Sequence, residues 1–324
     1  MVKYLKHSEI KDFDIKLKLF LSKVPFGRFL LDRKIDKNGA VELEFNNILR
    51  YADKGEIFAD LDHNNEIVGL IGFHFSEWDT NVFLKRMAIV QYFLVTETNF
   101  GEEEEIVAEL LNSFHTWSKA NSIDVAVTKL DTLYFTPIYI LQQNGYVVYE
   151  CVTYRTIDNL ENYKNIGNDV EFRFANKSDD DALKKIALKN TFPKSHFYLD
   201  PNFDRARIEL MYSQWIENAL NSKQKIVLIE EDKQIAGVFI YDIVDYTQQL
   251  GKKIGVWKSA FVDSNFRDKG VGFRLFKATL QACINDGVDL VDTSLVEKNI
   301  ISQSFHDKLG FRLVNTQYTL HKWF

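Results

Sequence analysis

The segment Asn265–Leu275, NFRDKGVGFRL, joins two stretches of different character. Before it, the apolar run Ile254–Val262, IGVWKSAFV, predicts a β-strand. After it, apolar residues recur at helical spacing, which predicts an amphipathic helix over Val271–Asn285. The segment therefore places an arginine and two glycines, spaced R-x-x-G-x-G, where backbone amides and a helix N-terminus together bind phosphate groups.

Three types of phosphate-binding loop have glycines at such a junction. A Walker loop requires a lysine and a hydroxyl residue after its second glycine, but Phe273 and Arg274 follow Gly272. A dinucleotide-binding loop requires a third glycine, which this segment lacks. The third type is the coenzyme A loop of the GNAT acyltransferases, and the alternative to all three is an ordinary β-to-α turn.

The next predicted helix favours the coenzyme A loop. In NIISQSFHDKLGF, Asn299 and His306 share one helix face, about 10 Å apart along the helix axis. A glycine loop, a strand and then N-x6-(aromatic or His)-x3-G-F resembles the C-terminal pattern of a GNAT domain. This resemblance implies two central strands that splay apart, so that the pantetheine arm of acyl-coenzyme A lies beside one of them.

The resemblance also implies which residues bind the cosubstrate. The end of the strand would bind pantetheine through its backbone, the glycine loop would bind the pyrophosphate, and the later helix would contact the pantetheine arm. The expected residues are Phe261, Val262, Arg267, Asp268, Lys269, Gly270, Val271, Gly272, Asn299 and Phe305. Acyl-coenzyme A is therefore the expected cosubstrate, and no metal is expected.

His306 stands where the GNAT family usually has a tyrosine that protonates the departing thiolate. A histidine could serve as the same catalytic acid, because it lies in the last turn of its helix, where the helix dipole favours imidazolium. The alternative is that the thiolate leaves without help, since a thiol pKa is about 8.5, and that His306 only packs beside the sulfur. The sequence predicts His306 as the catalytic residue.

Two features of the chain occur twice in the same order, which predicts a duplicated domain. EIVGLIGFHF resembles QIAGVFIYDI, and aligning Gly69 with Gly237 gives a shift of 237 − 69 = 168. A second pair aligns on Gly145 and Gly310, a shift of 310 − 145 = 165. We predict an α/β protein with two tandem GNAT folds, each a mixed, largely antiparallel sheet flanked by helices. The predicted domains are residues 1–160 and 168–324, joined by the polar segment Asp158–Asp169.

The first copy has TNFGEEEEIV, Thr98–Val107, in place of the glycine loop. Glutamates at a helix start suit the helix dipole, but they repel a pyrophosphate. We therefore expect no coenzyme A site in the first domain, whose role would be structural or in acceptor binding.

Further segments resemble those of bacterial dTDP-amino-sugar N-acyltransferases, the dTDP-fucosamine acetyltransferase group. These segments are SEWDTNVF in the first copy, and KSHFYLDPNF with MYSQWIENAL in the second. The resemblance implies that the acceptor is a nucleotide-linked amino-dideoxy sugar, bound by Trp78, Asp79, His196, Phe197, Asp200, Tyr212 and Trp215. Structural alternatives remain for several of them: a turn at Asp200-Pro201, a core position for Trp215, and a strand end at Trp78-Asp79.

Composition limits the partners. The 324 residues carry a formal charge of −6, so nothing favours nucleic acid or an anionic membrane, and the two cysteines form no metal motif. No apolar run is long enough to span a membrane, and the N-terminus lacks a signal-peptide core, so we expect a cytoplasmic protein; the sequence leaves monomer and homodimer open. Two other functions stay open: transfer to a different amine, such as a peptide N-terminus or a mycothiol-synthase-type acceptor, and acyl-coenzyme A binding without catalysis.

Overall fold

A computed structural model describes residues 2–24, 27–96, 99–189, 195–222 and 224–324. The chain divides into two compact units. Unit 1 comprises Met1–Val152 and Asn315–Phe324, and unit 2 comprises Thr153–Val314. No helix among the described residues has the length and apolar character needed to cross a bilayer.

Unit 1 contains a sheet with the strand order β1-β2-β3-β4-β5-β12-β6. Its elements are β1 (Val2–Tyr4), α1 (His7–Asp12), α2 (Asp14–Leu21), α3 (Arg28–Leu31), α4 (Lys37–Tyr51), β2 (Glu56–Leu61), β3 (Ile67–Phe75), α5 (Glu77–Phe83), β4 (Met87–Val95), α6 (Phe100–Ala120), β5 (Val125–Asp131), α7 (Phe135–Gln143), the first part of β6 (Val147–Ile157) and most of β12 (Arg312–Trp323). Strands β4 and β5 run parallel, and β1 to β4 form antiparallel neighbours.

Unit 2 contains the order β6-β11-β10-β9-β8-β7. Its elements are β7 (Arg173–Phe174), α8 (Asp180–Lys189), α9 (His196–Leu199), α10 (Arg205–Leu220), β8 (Lys225–Glu231), β9 (Gln234–Tyr246), α11 (Thr247–Leu250), β10 (Lys252–Val262), α12 (Val271–Asn285), β11 (Leu290–Val296) and α13 (Ile300–Leu309). Strands β7 to β10 are antiparallel neighbours, and β10 and β11 run parallel. The predicted mixed, largely antiparallel sheet flanked by helices is confirmed.

Alternation along the strands of unit 2 builds a core on each face of the sheet. On β9, Val238 and Ile240 join the cluster under α8 and α10, whereas Phe239 and Tyr241 join the cluster under α12. This is the period of two that a pleated strand imposes on its side chains. Helices pack on both apolar faces of the sheet, and α12 is one of them. The end of β10 and the start of α12 are therefore fixed by this packing, and the glycine loop connects these two fixed points.

The two units repeat one order of elements at a nearly constant offset. Strand β5 corresponds to β11 with 290 − 125 = 165, and α6 ends 285 − 120 = 165 residues before α12 does. The equivalent glycines have equivalent neighbours: a Cβ at Gly69 would contact Ile106 and Leu110 of α6, and one at Gly237 would contact Val271 and Leu275 of α12. These correspondences agree with the predicted duplication.

The structure differs from the sequence prediction at two junctions. The segment Asp158–Asp169, predicted as a linker, packs against unit 2: Leu160 is buried in the core under α12, and a Cβ at Gly167 would lie 2.7 Å from Cβ of Gln281. In addition, Asn315–Phe324 belongs to unit 1 and not to the second domain, because β12 pairs with β5 from Gln317–Asp131 to Trp323–Val125. The functional division at 1–160 and 168–324 stays a prediction.

Candidate active site

An opening lies between β10 and β11 in unit 2. The two strands pair only from Ile254–Leu290 to Trp257–Thr293, although β10 continues to Val262 and β11 to Val296. At the same point β10 carries an extra residue, Lys258, between Trp257 and Ser259 in its register with β9. Such a bulge bends a strand and increases its twist. The last residues of β10 therefore diverge from β11, and Phe261 and Val262 lie on the diverging part.

The loop after β10 forms a concavity at the N-terminus of α12. Asp268 and Gly270 both have a left-handed backbone, with φ of 61° and 75°, on either side of Lys269. Gly270 is the N-cap residue, no side chain of the described residues caps the helix, and its first turn, within Val271–Asn285, holds no acidic residue. Amides in such a left-handed turn and the uncapped first turn of a helix create positive potential. The geometry suits a diphosphate bound by residues 267–272.

The two glycines of the loop serve different physical purposes. A Cβ at Gly270 would meet nothing within 4 Å, so glycine is favoured there by its left-handed φ. A Cβ at Gly272 would lie 2.9 Å from Cε2 of Phe305, so glycine there allows α13 to approach α12. Phe305 also contacts the rings of Phe273 and Phe276, with centroids 5.5 Å and 5.3 Å away. Its position braces the loop from behind.

Asn299 and Arg267 are both engaged by local structure. Asn299 is the N-cap residue of α13, and its side-chain oxygen accepts a hydrogen bond from the amide of Ser302 at 3.3 Å. Arg267 donates through Nε to the carbonyl oxygen of Val262 at 3.4 Å, which ties the loop to the end of β10. Asn299 thus lies just after the end of β11, and Arg267 lies just after the end of β10; their contact with a cosubstrate stays a prediction.

His306 lies beside the apex of the opening, in an aromatic cluster. Its ring contacts Trp257, Phe276 and Phe311, with centroids 5.8, 5.2 and 4.8 Å away, and only 2% of the residue is exposed. Nδ1 lies 2.7 Å from the carbonyl oxygen of Ser302. A carbonyl oxygen only accepts, so Nδ1 carries the proton of the neutral ring and Nε2 has none. Nε2 is buried and has no hydrogen-bond partner among the residues that the structure describes.

Burial changes the interpretation of His306. Desolvation is the largest influence and lowers its pKa to about 4, which outweighs the opposing hydrogen bond to Ser302. The sequence expectation of an imidazolium favoured by the helix dipole is therefore not met, because the dipole acts on a ring that three aromatic side chains shield from water. A neutral ring has no proton on Nε2 to donate, so the acid role requires a protonation state that the surroundings disfavour.

Unit 1 has the same kind of opening, since β4 and β5 pair only from Met87–Val125 to Val90–Thr128, but it lacks the glycine loop and the histidine. At the offset of 165, Glu102–Glu105 correspond to Arg267–Gly270, and they already belong to α6. Asn99 caps that helix by accepting from the amide of Glu102 at 3.1 Å, and Glu102 and Glu103 occupy its first turn. Leu141 stands in the place of His306, and Tyr134 in the place of Asn299. Thr98, in the segment discussed above, lies outside the described residues.

The acceptor residues predicted in unit 2 lie on α9 and α10. Tyr198 and Tyr212 have ring centroids 6.2 Å apart, and Trp215 meets Tyr212 edge-on at 5.9 Å. Tyr212 is buried but Trp215 is 49% exposed, so the tryptophan is not the core residue that the alternative interpretation expected. Their neighbours His196 and Phe197 have ring centroids 3.9 Å apart. Lys194, with which the predicted segment begins, lies outside the described residues.

Asp200 has a structural environment. It is fully buried, and its Oδ1 accepts from the amide and from the side-chain Nδ2 of Asn202, both at 3.0 Å. This is the side-chain-to-backbone turn that aspartate commonly forms. Its carboxylate supports the turn between α9 and α10, and solvent cannot reach it.

The acceptor residues predicted in unit 1 lie on α5. Trp78 is 37% exposed. The hydroxyl of Ser76 donates to Oδ2 of Asp79 at 2.5 Å and accepts from its amide at 3.4 Å, an arrangement that caps the helix. Burial raises the pKa of Asp79. Asp79 therefore has a capping role whether or not it also meets a ligand.

Sequence reasoning missed several polar contacts near the opening. Gln303 donates to the hydroxyl of Thr153 at 3.0 Å, and that hydroxyl donates to the carbonyl of Leu295 at 3.2 Å. These bonds connect α13, β6 and the diverging end of β11, and residues this far apart in sequence leave no local signal. No group of His, Cys, Asp and Glu that could hold a metal occurs in the described parts of the chain.

Comparison with known proteins agrees with this geometry. Residues 188–311 match the family model described as "Acetyltransferase (GNAT) family". A curated relative, the "Spore coat polysaccharide biosynthesis protein SpsD" of Bacillus subtilis (strain 168), is 18% identical over 266 residues, which cover 81% of this chain and 86% of the relative.

Solved structures with low sequence identity show the same fold. A GCN5-related N-acetyltransferase from Sphaerobacter thermophilus superposes with a TM-score of 0.63 at 10% identity, covering 100% of this chain and 95% of its own. A tandem GNAT protein from the clavulanic acid biosynthesis pathway superposes with a TM-score of 0.58 at 10% identity, covering 100% and 98%. The arrangement of two GNAT folds in one chain is therefore confirmed.

Proposed function

Because residues 188–311 are a GNAT acetyltransferase domain, we propose that this protein transfers an acetyl or other short acyl group from acyl-coenzyme A to the amine of a nucleotide-linked amino sugar. The observation that carries the proposal is the contrast between the units. Both units have a parallel strand pair that opens toward its end, but unit 2 has an uncapped helix N-terminus beside it, whereas unit 1 has a capped helix with glutamates at the same place.

The proposed cosubstrate site uses the residues around the opening. The loop Arg267–Gly272 would hold the pyrophosphate, and the diverging ends Phe261 and Val262 would offer backbone groups to pantetheine. The thioester would then lie near the bulge at Lys258, beside the apex. An amide N–H on this part of β10 would stabilise the oxyanion of the tetrahedral intermediate.

The reaction needs no covalent enzyme intermediate. The neutral amine attacks the thioester carbonyl, the C–N bond forms, the C–S bond breaks, and the proton lost by the amine ends on the departing thiol. Positioning of two bound reactants supplies most of such a rate enhancement. The neutral ring of His306 has no proton on Nε2 to donate to the sulfur. His306 would therefore line the apex of the site by packing and would not act as an acid.

The acceptor class rests on two lines of support. The curated relative carries the name of a protein of spore coat polysaccharide biosynthesis, a process that uses sugar substrates. Unit 2 also presents exposed and half-buried aromatic rings on α9 and α10, including Trp215. Of the nucleotide sugars, we propose a dTDP-linked amino-dideoxyhexose, as the resemblance of the acceptor segments implies.

The test is an acylation assay that follows thiol release from acetyl-coenzyme A. Amines to compare are dTDP-linked amino sugars, the same amino sugars without nucleotide, and short peptides with a free N-terminus. Remote binding energy from the nucleotide should position the amine, so we expect kcat/KM for the nucleotide form to exceed that of the free sugar by at least about 100-fold. Equal values would replace the nucleotide sugar with a small amine, and turnover of peptides alone would reject a sugar acceptor.

A further inference from the structure

The N-terminal half of α10 presents an arginine beside an aromatic series. Arg205 donates through a guanidinium N–H to the carbonyl oxygen of Tyr198 at 2.5 Å, and its guanidinium carbon lies 5.2 Å from the centre of that ring. The Tyr198 ring leads to Tyr212 at 6.2 Å and then to Trp215 at 5.9 Å. One cation and three rings thus follow one another over α9 and α10.

Arg205 differs from other arginines of unit 2 in its partners. Within the described part of the chain it forms no ion pair, in contrast to Arg173, which binds Asp179 and Glu230, and to Arg155, which binds Asp307. Arg205 is exposed, and one guanidinium edge is already oriented by the Tyr198 carbonyl. An oriented and exposed guanidinium without a carboxylate suits a planar, bidentate contact with phosphate oxygens.

Trp215 is exposed more than a tryptophan of the core would be. It is 49% exposed, and Tyr212 meets it edge-on, so one face of the indole is supported from the side while the residue remains accessible. Arg205 and Tyr212 lie seven residues apart and share a helix face, and Trp215 follows one turn later, roughly 15 Å from Arg205 along the axis. A ligand with an anionic part and a flat part would match this order.

From these contacts we infer that α9 and α10 form a nucleoside diphosphate subsite, in which Arg205 binds the diphosphate and Trp215 stacks on the base. The inference deepens the proposed function, since it assigns the nucleotide of the acceptor to named residues. Stacking of a base on an aromatic ring and an arginine–phosphate contact are both strong enough to decide affinity. Arg205 would then determine specificity for the nucleotide, while the opening between β10 and β11 would bind the cosubstrate.

The experiment is calorimetric titration of the full-length protein with dTDP, with inorganic pyrophosphate as a competitor. Arg205→Gln should weaken dTDP binding by about ten- to a hundredfold, because a charge-assisted hydrogen bond to a phosphate is lost. Arg205→Lys should recover part of the loss, since it keeps the charge without the fork. The matched control is Arg33→Gln, which removes an exposed arginine of unit 1 that forms no ion pair in the described residues.

A second readout separates binding from misfolding. Bound dTDP should quench tryptophan fluorescence in the wild type, and Trp215→Leu should remove most of that quenching while coenzyme A still binds. In turnover, Arg205→Gln should raise KM for the nucleotide sugar by more than it lowers kcat.

Two outcomes would overturn the subsite. One is unchanged dTDP affinity in both Arg205→Gln and Trp215→Leu, and the other is no dTDP binding by the wild type. Neither result decides the proposed function, because thiol release with free and nucleotide-linked amino sugars measures that separately. Conversely, an absence of acylation with every sugar amine would reject the proposed function, while dTDP affinity that depends on Arg205 would still support the subsite.

Discussion

His306→Phe tests whether the residue at the apex donates a proton or only packs. With a pKa of about 4, the ring is protonated in roughly one molecule in a thousand at pH 7. General acid catalysis typically contributes about 10²–10⁴-fold. A group that is almost always neutral cannot supply most of that factor, so we expect kcat at pH 7 to fall less than about tenfold.

The same substitution has a second, thermodynamic readout. The pKa of His306 is 6.5 when unperturbed and about 4 in the folded protein, so the unfolded chain takes up a proton at a pH where the folded one does not. This difference in pKa leaves the free energy of unfolding unaffected above pH 6.5 and lowers that free energy as the pH falls from 6.5 to 4. A shift of that size corresponds to about 3 kcal/mol at the acid end. Phenylalanine does not titrate, so the variant should lack this part of the acid destabilisation.

The measurements are thiol release for kcat, calorimetry for coenzyme A affinity, and denaturant unfolding at pH 7, 6, 5 and 4.5. The control is His63→Asn, which removes an exposed histidine from the turn between β2 and β3 and shows what the loss of a histidine outside the aromatic cluster does. A fall in kcat of about 10²-fold or more with coenzyme A affinity intact would instead identify His306 as a proton donor, because that is the range expected of a lost acid. A parallel loss of stability in wild type and variant below pH 6.5 would contradict the lowered pKa of His306.

Three further outcomes are expected. Calorimetry should give one coenzyme A per chain, and Gly270→Glu should abolish that binding, whereas Gly251→Glu, at another open glycine with a left-handed φ of 64°, should not; a stoichiometry of two would contradict the assignment. Gly272→Ala should weaken coenzyme A binding, because a Cβ there would lie 2.9 Å from Cε2 of Phe305, so the ring that braces the loop must shift. Phe305→Leu in the same chain should restore part of the affinity. A thiol reagent should modify Cys151 well before Cys283, since burial raises the pKa of the Cys283 thiol to about 12, and equal rates at pH 8 would show that the core opens readily.

Local patterns predicted much of unit 2. The helix expected over Val271–Asn285 is α12, and the strand expected over Ile254–Val262 is part of β10, which begins two residues earlier at Lys252. The apolar run within β10 stops before Asp263, and α12 has helical periodicity that stops before Asp286-Gly287, which are reliable signals. The first 50 residues offered no such match, and α1 to α4 were not predicted.

Features that depend on contacts between distant elements could not be predicted in the same way. The protonation of His306 is set by Trp257 on β10, Phe276 on α12 and Phe311 after α13, while its position near a helix C-terminus suggested the opposite charge. The membership of Asn315–Phe324 in unit 1 depends on pairing between β12 and β5, which chain order alone does not reveal.

Unit 1 shares some structural features with the equivalent positions of unit 2 and differs from unit 2 in others. Strand β4 keeps the bulge, with Gln91 as its extra residue opposite Gly72 and Phe73, and Gly69 keeps its close packing against α6. These features maintain a fold. The features that would bind an anion or meet a thioester are replaced: Glu102–Glu105 are helical where the loop would be, and Leu141 takes the place of His306. Unit 1 keeps the packing of the fold but has negative charge where unit 2 would bind phosphate, so we expect unit 1 to serve for support or acceptor binding. A stoichiometry of one coenzyme A per chain is therefore the most direct test of the proposed function.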